Sequence, residues 1–188
     1  MSKHYVVDIE TLDIRPTAAI IGIAIVGDGY KFDIKCHPHH HTLDLLLCSP
    51  PITVGKSTLE FWKAQAVESP EAYKKYWLEV SPEDYKPEEM ITKAWDAFHE
   101  LVNSVEPDSH FWSRGKDFDF PILANSFAAQ GLPIPWGYRN IHCLRDMEML
   151  YPEYKLSNTG YVKHDALQDA YYEKYLLDSF MDAGLIPY

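Results

Sequence analysis

The chain has 188 residues, of which 46% are hydrophobic and 24% charged, and these values are ordinary for a globular protein. A formal net charge of −11 argues against a broad positive surface for nucleic acid, but not against an enzyme that holds a short nucleic-acid end through metal ions. No apolar run reaches the roughly 18 residues of a membrane span, no signal-peptide segment precedes the first predicted strand, and the three cysteines form no CxxC pair. We therefore expect one domain over residues 1–188, in the cytoplasm, without a membrane anchor or a disulfide framework.

The first predicted element is a strand over residues 5–11, in which Val, Ile and Tyr surround Asp8 and Glu10. Because side chains alternate along a strand, the two carboxylates point to one face, with Cα atoms about 6.5–7 Å apart. Two like charges on a buried strand need a positive partner, and a divalent metal with hard oxygen ligands is the natural one. The alternative is a strand whose polar face is simply solvated.

The next residues predict two further strands and a histidine-rich segment. The apolar run 18–26 is typical of a central strand, and a Gly-Asp-Gly hairpin leads into an antiparallel strand over residues 30–36. Residues 37–41 contain four histidines, which could capture a transition metal or could form a solvated loop. Together with Cys36 they define a rival hypothesis, a zinc-dependent hydrolase.

Residues 57–105 predict a helical insert. The capping box that begins at Ser57 indicates a helix start, and a second helix is predicted over residues 70–77. Pro87 opens a third helix that reaches about Val105, with an aromatic stripe that is typical of core packing.

The last part of the chain predicts strands at residues 110–113 and 139–143. These alternate with helices over residues 118–130, 144–150 and 165–182. Three antiparallel strands followed by strands that alternate with helices predict an α/β fold with a mixed sheet flanked by helices.

Two later acidic clusters could join Asp8 and Glu10. Asp117 and Asp119 lie where a strand passes into a helix, a place where ligands commonly bind. His164 precedes the last helix and could swing over a site to which Asp169 contributes a ligand from the second turn. Histidine titrates near neutral pH and can accept a proton from water. Asp165 is interpreted as the helix N-cap.

In this order the motifs resemble those of the DEDDh exonucleases of the ribonuclease H-like superfamily. The resemblance covers residues 8–169 and rests on three matches: Asp8-Ile9-Glu10-Thr11 to the Asp-x-Glu-Thr motif, Phe118-Asp119 to the second motif, and His164 with Asp169 to the His-x4-Asp motif. Gly115 stands where many members carry Asn. The segment 112–115 is similar to the branch that contains a phage exodeoxyribonuclease and a bacterial exoribonuclease.

The resemblance implies a ribonuclease H-like α/β fold, with a mixed five-stranded sheet of three antiparallel strands and parallel additions, and a helical insert at about residues 57–105. It implies a 3′→5′ exonuclease that releases nucleoside 5′-monophosphates from single-stranded DNA or RNA 3′ ends, using two Mg²⁺ or Mn²⁺ ions. The implied metal ligands are Asp8, Glu10, Asp119 and Asp169, and the implied general base is His164. Two ions about 3.5–4 Å apart suit phosphodiester hydrolysis.

The implied substrate contacts begin directly after the first motif. Thr11 and Leu12 would touch the terminal nucleotide, with Leu12 wedged against the last base. Trp62 and its neighbour Phe61 would stack on bases, or at least one of them would pack in the core. Arg114 would neutralise phosphate.

Several alternatives stay open. Arg145 could also neutralise phosphate, but Arg114 and Arg145 could equally pair with Asp117 or Asp146. Asp117 competes with Asp119 as a metal ligand, and we favour Asp119 because it follows the aromatic residue.

The function itself has alternatives as well. We favour DNA over RNA as the substrate. An exoribonuclease is the alternative, and no residue can be assigned to reading a 2′-hydroxyl, which would separate the two. A catalytically silent binding module of the same fold is a further alternative. The helical insert leaves room for a homodimer interface.

Overall fold

The computed structural model describes residues 3–27, 29–38, 52–80, 86–104, 109–155 and 160–186, and its centre is one mixed sheet. Five strands form this sheet within the described residues, in the order β3-β2-β1-β4-β5. They are β1 (His4–Thr11), β2 (Ile20–Gly27), β3 (Tyr30–Lys35), β4 (His110–Ser113) and β5 (Ile141–Cys143).

Six α-helices accompany the sheet in the same ranges. Three follow β3, namely α1 (Lys56–Glu68), α2 (Pro70–Trp77) and α3 (Pro87–Ser104), and three alternate with the later strands, namely α4 (Lys116–Ala129), α5 (Leu144–Leu150) and α6 (Ala166–Asp182). None of the helices in these ranges has the length and apolarity to cross a membrane.

Strand pairing confirms the predicted mixed topology. Strand β1 pairs antiparallel with β2, placing Asp8 opposite Ala24 and Glu10 opposite Gly22. On its other side β1 pairs parallel with β4, with His4 opposite His110, and β5 extends the parallel half. Strand β1 is therefore central, and it is buried, as its Val and Ile content predicts.

The alternation of side chains along β1 divides the core between the two faces of the sheet. Val7 and Ile9 pack in a cluster with residues of α3 and α4, whereas Val6 packs on the opposite face with residues of α6. A third cluster joins Leu12 and the end of β2 to Trp62 and Tyr76 of the helices α1 and α2. The first two helices thus pack beside the end of β1 that carries Glu10.

Two helix starts differ from the prediction. Helix α1 begins at Lys56 with Gly55 as N-cap, one residue before the predicted capping box, and no side chain caps it. A Cβ on Gly55 would lie 2.8 Å from Oδ1 of Asp13, so the packing of the preceding loop fixes where the helix begins. Helix α4 begins at Lys116 instead of Phe118, which places Asp117 and Asp119 together in its first turn.

The histidine-rich segment falls mostly outside the described residues. His37 is described and buried. Sγ of the buried Cys36 donates to the carbonyl oxygen of His37 at 3.7 Å. Residues 39–41 are not among the described ranges. The rival zinc-hydrolase hypothesis therefore stays a prediction.

Candidate active site

Strand β1 presents Asp8 and Glu10 from the face of the sheet opposite to Val7 and Ile9. The residues paired with the two acids on β2 are small. A Cβ on Gly22 would lie only 2.6 Å from the ring of Tyr76. The absence of a side chain at this position on β2 is what allows α2 to pack so close to Glu10.

Asp119 reaches the same place from the first turn of α4. It is 5% exposed, whereas Asp117 in the same turn is exposed to solvent. Asp119 lines a cleft with Asp8 and Glu10, and Asp117 does not. The structure therefore brings the aspartate that follows Phe118 to the other acids.

The start of α6 supplies His164 and Asp169. Asp165 is the N-cap, as predicted, and its Oδ1 accepts hydrogen bonds from the backbone N–H groups of Leu167 at 3.0 Å and Gln168 at 3.3 Å. His164 has a φ of 62°, in the left-handed region that residues other than glycine rarely adopt. Its backbone N–H donates to Oδ2 of Asp169 at 2.8 Å. The turn before the helix therefore fixes these two residues relative to each other.

All five predicted catalytic residues line one cleft of about 590 Å³. Glu10, His164 and Asp169 each offer a ligand atom, and these atoms lie within 4.8 Å of one another. The residues come from the central strand, the start of α4 and the start of α6, which are remote in sequence. Their meeting is a property of the fold.

Burial raises the pKa of all four acids. The pKa of Asp119 rises to about 7 through burial, which the charge of Arg145 partly opposes, and that of Asp169 rises to about 6 for the same main reason. Burial, followed by repulsion from the neighbouring carboxylates, raises the pKa of Asp8 and of Glu10 well above the usual range. The cleft is therefore short of positive charge.

The donor set fits a divalent cation. Oδ2 of Asp8 is buried and has no hydrogen-bond partner within the described residues. A buried carboxylate oxygen without a partner is costly, and a bound cation removes that cost. Clustered carboxylate oxygens are ligands that Mg²⁺ and Mn²⁺ prefer.

His164 is held in the form that can accept a proton. Burial lowers its pKa, and the charge of Lys163 lowers it further, so the imidazole is neutral near pH 7. Its ring packs edge-on against Phe61, with ring centroids 4.8 Å apart. A neutral imidazole beside a cation site can serve as a general base.

Glu173 is a further acid of the cleft that sequence reasoning missed. It is 4% exposed, and its Oε2 accepts the backbone N–H of Arg114 at 3.0 Å. Burial raises its pKa well above the usual range, and the charge of Asp119 raises it further. Its signal in the sequence is its spacing, four residues after Asp169 on the same face of α6.

The two arginines also line this cleft. The guanidinium of Arg114 donates from Nε to Oε2 of Glu148 at 2.9 Å, so its partner is in α5 and is not Asp117. The charge of Arg145 lowers the pKa of Asp119 and so acts toward the site. Arg145 is thus a candidate for contact with phosphate. Arg114 also lines the cleft, but its guanidinium is already paired with Glu148.

A second, more apolar compartment of about 390 Å³ adjoins the acidic cleft and shares Glu10 and His164 with it. Thr11, Phe61 and Trp62 line this compartment. Trp62 is 1% exposed and donates from Nε1 to the carbonyl oxygen of Thr11 at 2.9 Å, whereas Phe61 is 39% exposed. Phe61 is therefore the better placed of the two to stack on a base, and the buried Trp62 forms part of the lining of the compartment.

Leu12 corrects one prediction. Its side chain is fully buried, in a cluster with Ile21 and Trp62, and it does not line the compartment. Its backbone N–H donates to the carbonyl oxygen of Ala19 at 2.8 Å, next to the buried cluster. This burial argues against Leu12 as a wedge on the terminal base.

A five-stranded mixed sheet in this order, with acids from β1, α4 and α6 and a histidine before α6, defines the DEDDh class of ribonuclease H-like exonucleases. The chain belongs to the family of the 3′-5′ exoribonuclease Rv2179c-like domain, whose sequence profile matches residues 3–181. The resemblance inferred from the three motifs is thereby confirmed.

Two kinds of relative accompany the family match. The exodeoxyribonuclease of Enterobacteria phage T4 is 30% identical over 142 residues, which cover 64% of this chain and 54% of the phage protein. Exonuclease I of E. coli, in a zinc-bound complex with single-stranded DNA, has a similar fold with a TM-score of 0.63 at 10% identity. An apo structure of exonuclease I gives a TM-score of 0.61 at 13% identity and covers 97% of this chain.

The chain is shorter than these relatives. It spans about half of the phage protein and 41–42% of the exonuclease I chains. At such low identity the exonuclease I structures support the fold alone, which confirms the predicted ribonuclease H-like architecture.

Proposed function

We propose that this chain is a metal-dependent 3′→5′ exonuclease that removes nucleoside 5′-monophosphates from single-stranded nucleic-acid ends. The observation that carries the proposal is the meeting of Asp8, Glu10, Asp119, His164 and Asp169 in one cleft, where an oxygen of Asp8 is buried and has no hydrogen-bond partner within the described residues. The family description and the phage relative support the same reaction class.

Each residue has a proposed role. Asp8, Glu10, Asp119 and Asp169 would hold two Mg²⁺ or Mn²⁺ ions, which supply Lewis acidity and a more acidic water when bound. The neutral imidazole of His164 would accept the proton that the attacking water loses.

The terminal nucleoside would occupy the apolar compartment. Phe61 lines this compartment and would stack on the base, a contact worth about 1–3 kcal/mol. Thr11 lines the compartment and would contact the terminal nucleotide, and Arg145 lines the acidic cleft and would neutralise phosphate.

DNA is our proposed substrate class, because the phage relative is an exodeoxyribonuclease and the exonuclease I complexes contain single-stranded DNA. RNA is the second candidate, because the family description names an exoribonuclease. The cytoplasmic location, the homodimer and the single domain over residues 1–188 stay predictions.

The proposal is tested by incubating end-labelled single-stranded DNA and RNA of matched sequence with Mg²⁺, Mn²⁺ or chelator. We expect stepwise shortening from the 3′ end that stops with chelator. Asp8→Asn should lower the rate by more than the roughly 10–100-fold that loss of an outer-shell partner costs, since it removes a ligand itself. Folded protein that shortens neither strand with metal present would favour the silent binding module.

A further inference from the structure

We infer that the helices α1 and α2 act as a clamp that positions His164 for its reaction, through Ser69, Lys75 and Tyr76. The inference rests on the proposed role of His164 as general base. It gives the first two helices of the helical insert a role in catalysis, although they contribute no acid to the cleft.

Two contacts of the clamp grip the backbone on either side of His164. The hydroxyl of Ser69, in the turn between α1 and α2, donates to the carbonyl oxygen of Lys163 at 2.7 Å. The buried hydroxyl of Tyr76 accepts the backbone N–H of Ala166 at 3.0 Å. The residue before His164 and the second residue after it are therefore both tied to the insert.

Lys75 adds a third contact, to the helix cap. Its Nζ donates to Oδ1 of Asp165 at 2.6 Å, with both side chains about seven-eighths buried. The same Asp165 oxygen caps α6, and Nζ of Lys75 also lies 3.4 Å from the carboxylate of Asp33 on β3. The cap is thus linked to the sheet through α2.

The conformation of His164 explains why such a grip is needed. A non-glycine residue at a φ of 62° is in a sparsely populated region and holds it only when its surroundings over-determine it. The clamp contacts on both sides and the N–H bond to Asp169 supply those constraints. Phe61 of α1 adds the edge-on ring contact on the imidazole itself.

Positioning of this kind affects the chemical step. A misplacement of about 1 Å can cost up to about 100-fold in rate, because the base must lie within hydrogen-bond reach of the water. Loss of one clamp contact leaves the acids of β1 and α4 in place. We therefore expect kcat to fall while KM changes little.

The test uses Ser69→Ala, Tyr76→Phe and the combined variant. Lys75 is left intact because its charge also lowers the pKa of Glu10, which would confuse positioning with electrostatics. Ser69→Thr retains a hydroxyl and should restore the rate. Matched controls are Ser179→Ala, which removes a hydroxyl bonded within α6, and Tyr138→Phe on the exposed Tyr138.

We expect about a 10-fold loss of kcat in the combined variant, with KM within about twofold, and wild-type values in both controls. Amide hydrogen exchange of residues 163–167 should also become faster. In a His164→Ala background the same substitutions should cost less than about twofold, because the clamp acts through the imidazole.

The outcomes separate the two proposals. An equal loss of kcat in both backgrounds, or an unchanged kcat in Ser69→Ala and in the combined variant, overturns the clamp. Wild-type kcat in His164→Ala alone overturns the proposed general base, and the clamp with it. Ser69→Ala removes only an exposed bond, so it keeps the test valid if the combined variant fails to fold.

Discussion

Asp117 and Asp119 lie two residues apart in the first turn of α4 and face different surroundings. Positions two apart on a helix differ by about 200° in direction, so the two side chains cannot share one cleft. Asp119 is buried beside Asp8, whereas Asp117 is exposed. The structure thus separates two acids that the sequence leaves in competition.

This difference predicts opposite outcomes for two conservative substitutions. Asp119→Asn should remove a metal ligand and lower kcat by more than about 100-fold, whereas Asp117→Asn should stay within about twofold of wild type. Steady-state rates and a calorimetric titration with Mn²⁺ measure both effects. Equal losses in the two variants would mean that the assignment of the ligand is wrong.

The positions of the catalytic residues could be predicted because their sequence motifs reflect local backbone geometry. Asp8 and Glu10 alternate along a strand, and the N-cap role of Asp165 fixes where His164 and Asp169 lie. Leu12 and Trp62 are different, since a neighbouring loop and helix decide whether their apolar side chains face the cleft or the core. Glu173 was missed because a single acid four residues after another is common on exposed helix faces.

At the scale of the elements, three histidines meet where β1, β4 and β5 lie side by side. Nδ1 of His110 and Nε2 of His142 are 2.8 Å apart, and the ring of His4 stacks on that of His110 with centroids 5.1 Å apart. The indole of Trp112 stacks on His142 and donates from Nε1 to Nδ1 of His4 at 3.0 Å. The ring of His142 is thus in contact with both His110 and Trp112.

This cluster predicts a loss of stability in acid. Burial, and then repulsion from His110, His4 and Lys116, lowers the pKa of His142 to about 4. The unfolded chain therefore binds a proton at this position between about pH 6.5 and 4 while the folded chain does not, so stability is full above pH 6.5 and falls as the pH falls toward 4. Because His142 is half-buried, we expect a loss of about 1 kcal/mol, well below the full equivalent of the pKa shift.

Urea unfolding of the wild type and of His142→Gln between pH 7.5 and 4.5 measures this contribution. The wild type should lose about 1 kcal/mol more than the variant over that range. The carboxylates titrate in both proteins, so their contribution to the pH dependence of stability cancels in the comparison. Parallel stability profiles would rule out the assignment to His142.

Elements were predictable where a periodic pattern and a terminator coincide. Helix α2 and strand β4 have the predicted bounds, and both are framed by such signals. Helix α1 begins before its capping box, where the backbone N–H of Gly55 donates to the carbonyl oxygen of Leu12 at 2.7 Å, a contact that is remote in sequence. Strand β5 is shorter than predicted because residues 138–140 form a 3-10 turn.

At the scale of the whole molecule, excess negative charge is concentrated where the elements meet. The chain carries a net charge of −11, and the cleft gathers five carboxyl groups: Asp8, Glu10, Asp119, Asp169 and Glu173. Burial holds all five pKa values above the usual range, and repulsion from other carboxylates of the cleft raises those of Asp8, Glu10 and Glu173 further. Without a cation the folded state is therefore penalised when these groups ionise.

This penalty gives the metal-free protein an unusual dependence on pH. A raised pKa in the folded state means that stability is full below about pH 4 and is lost as the pH rises through about 6 for Asp169 and about 7 for Asp119. We expect Tm in chelator to be at least about 5 °C lower at pH 8 than at pH 5, and Mn²⁺ to remove most of the difference.

Thermal unfolding followed by circular dichroism measures this, with Asp8→Asn as the comparison. The variant has one ionisable group fewer in the cleft, so its Tm in chelator should fall less between pH 5 and 8. A wild-type Tm that is as high at pH 8 as at pH 5 in chelator would contradict the electrostatic account of the cleft.

The overall topology was predictable because the order of strands and helices admits few arrangements. Three antiparallel strands followed by βα units predicted a mixed sheet, which the structure has, with β1 at its centre. The role of the helical insert was not predictable, because the contacts of Ser69 and Tyr76 with residues 163–166 join segments about 90 residues apart. No local pattern records such contacts.

The central position of β1 also bears on how the chain reaches this state. Its antiparallel partners follow directly in sequence, so the β1-β2-β3 meander can form early. The pairing of His4 with His110 and the contact of Glu10 with α6 join distant parts of the chain and form later. When α4 and α6 dock, their acids are repelled by Asp8 and Glu10. We expect this repulsion to slow the late part of the folding reaction. A divalent cation present during synthesis would then accelerate that closing step.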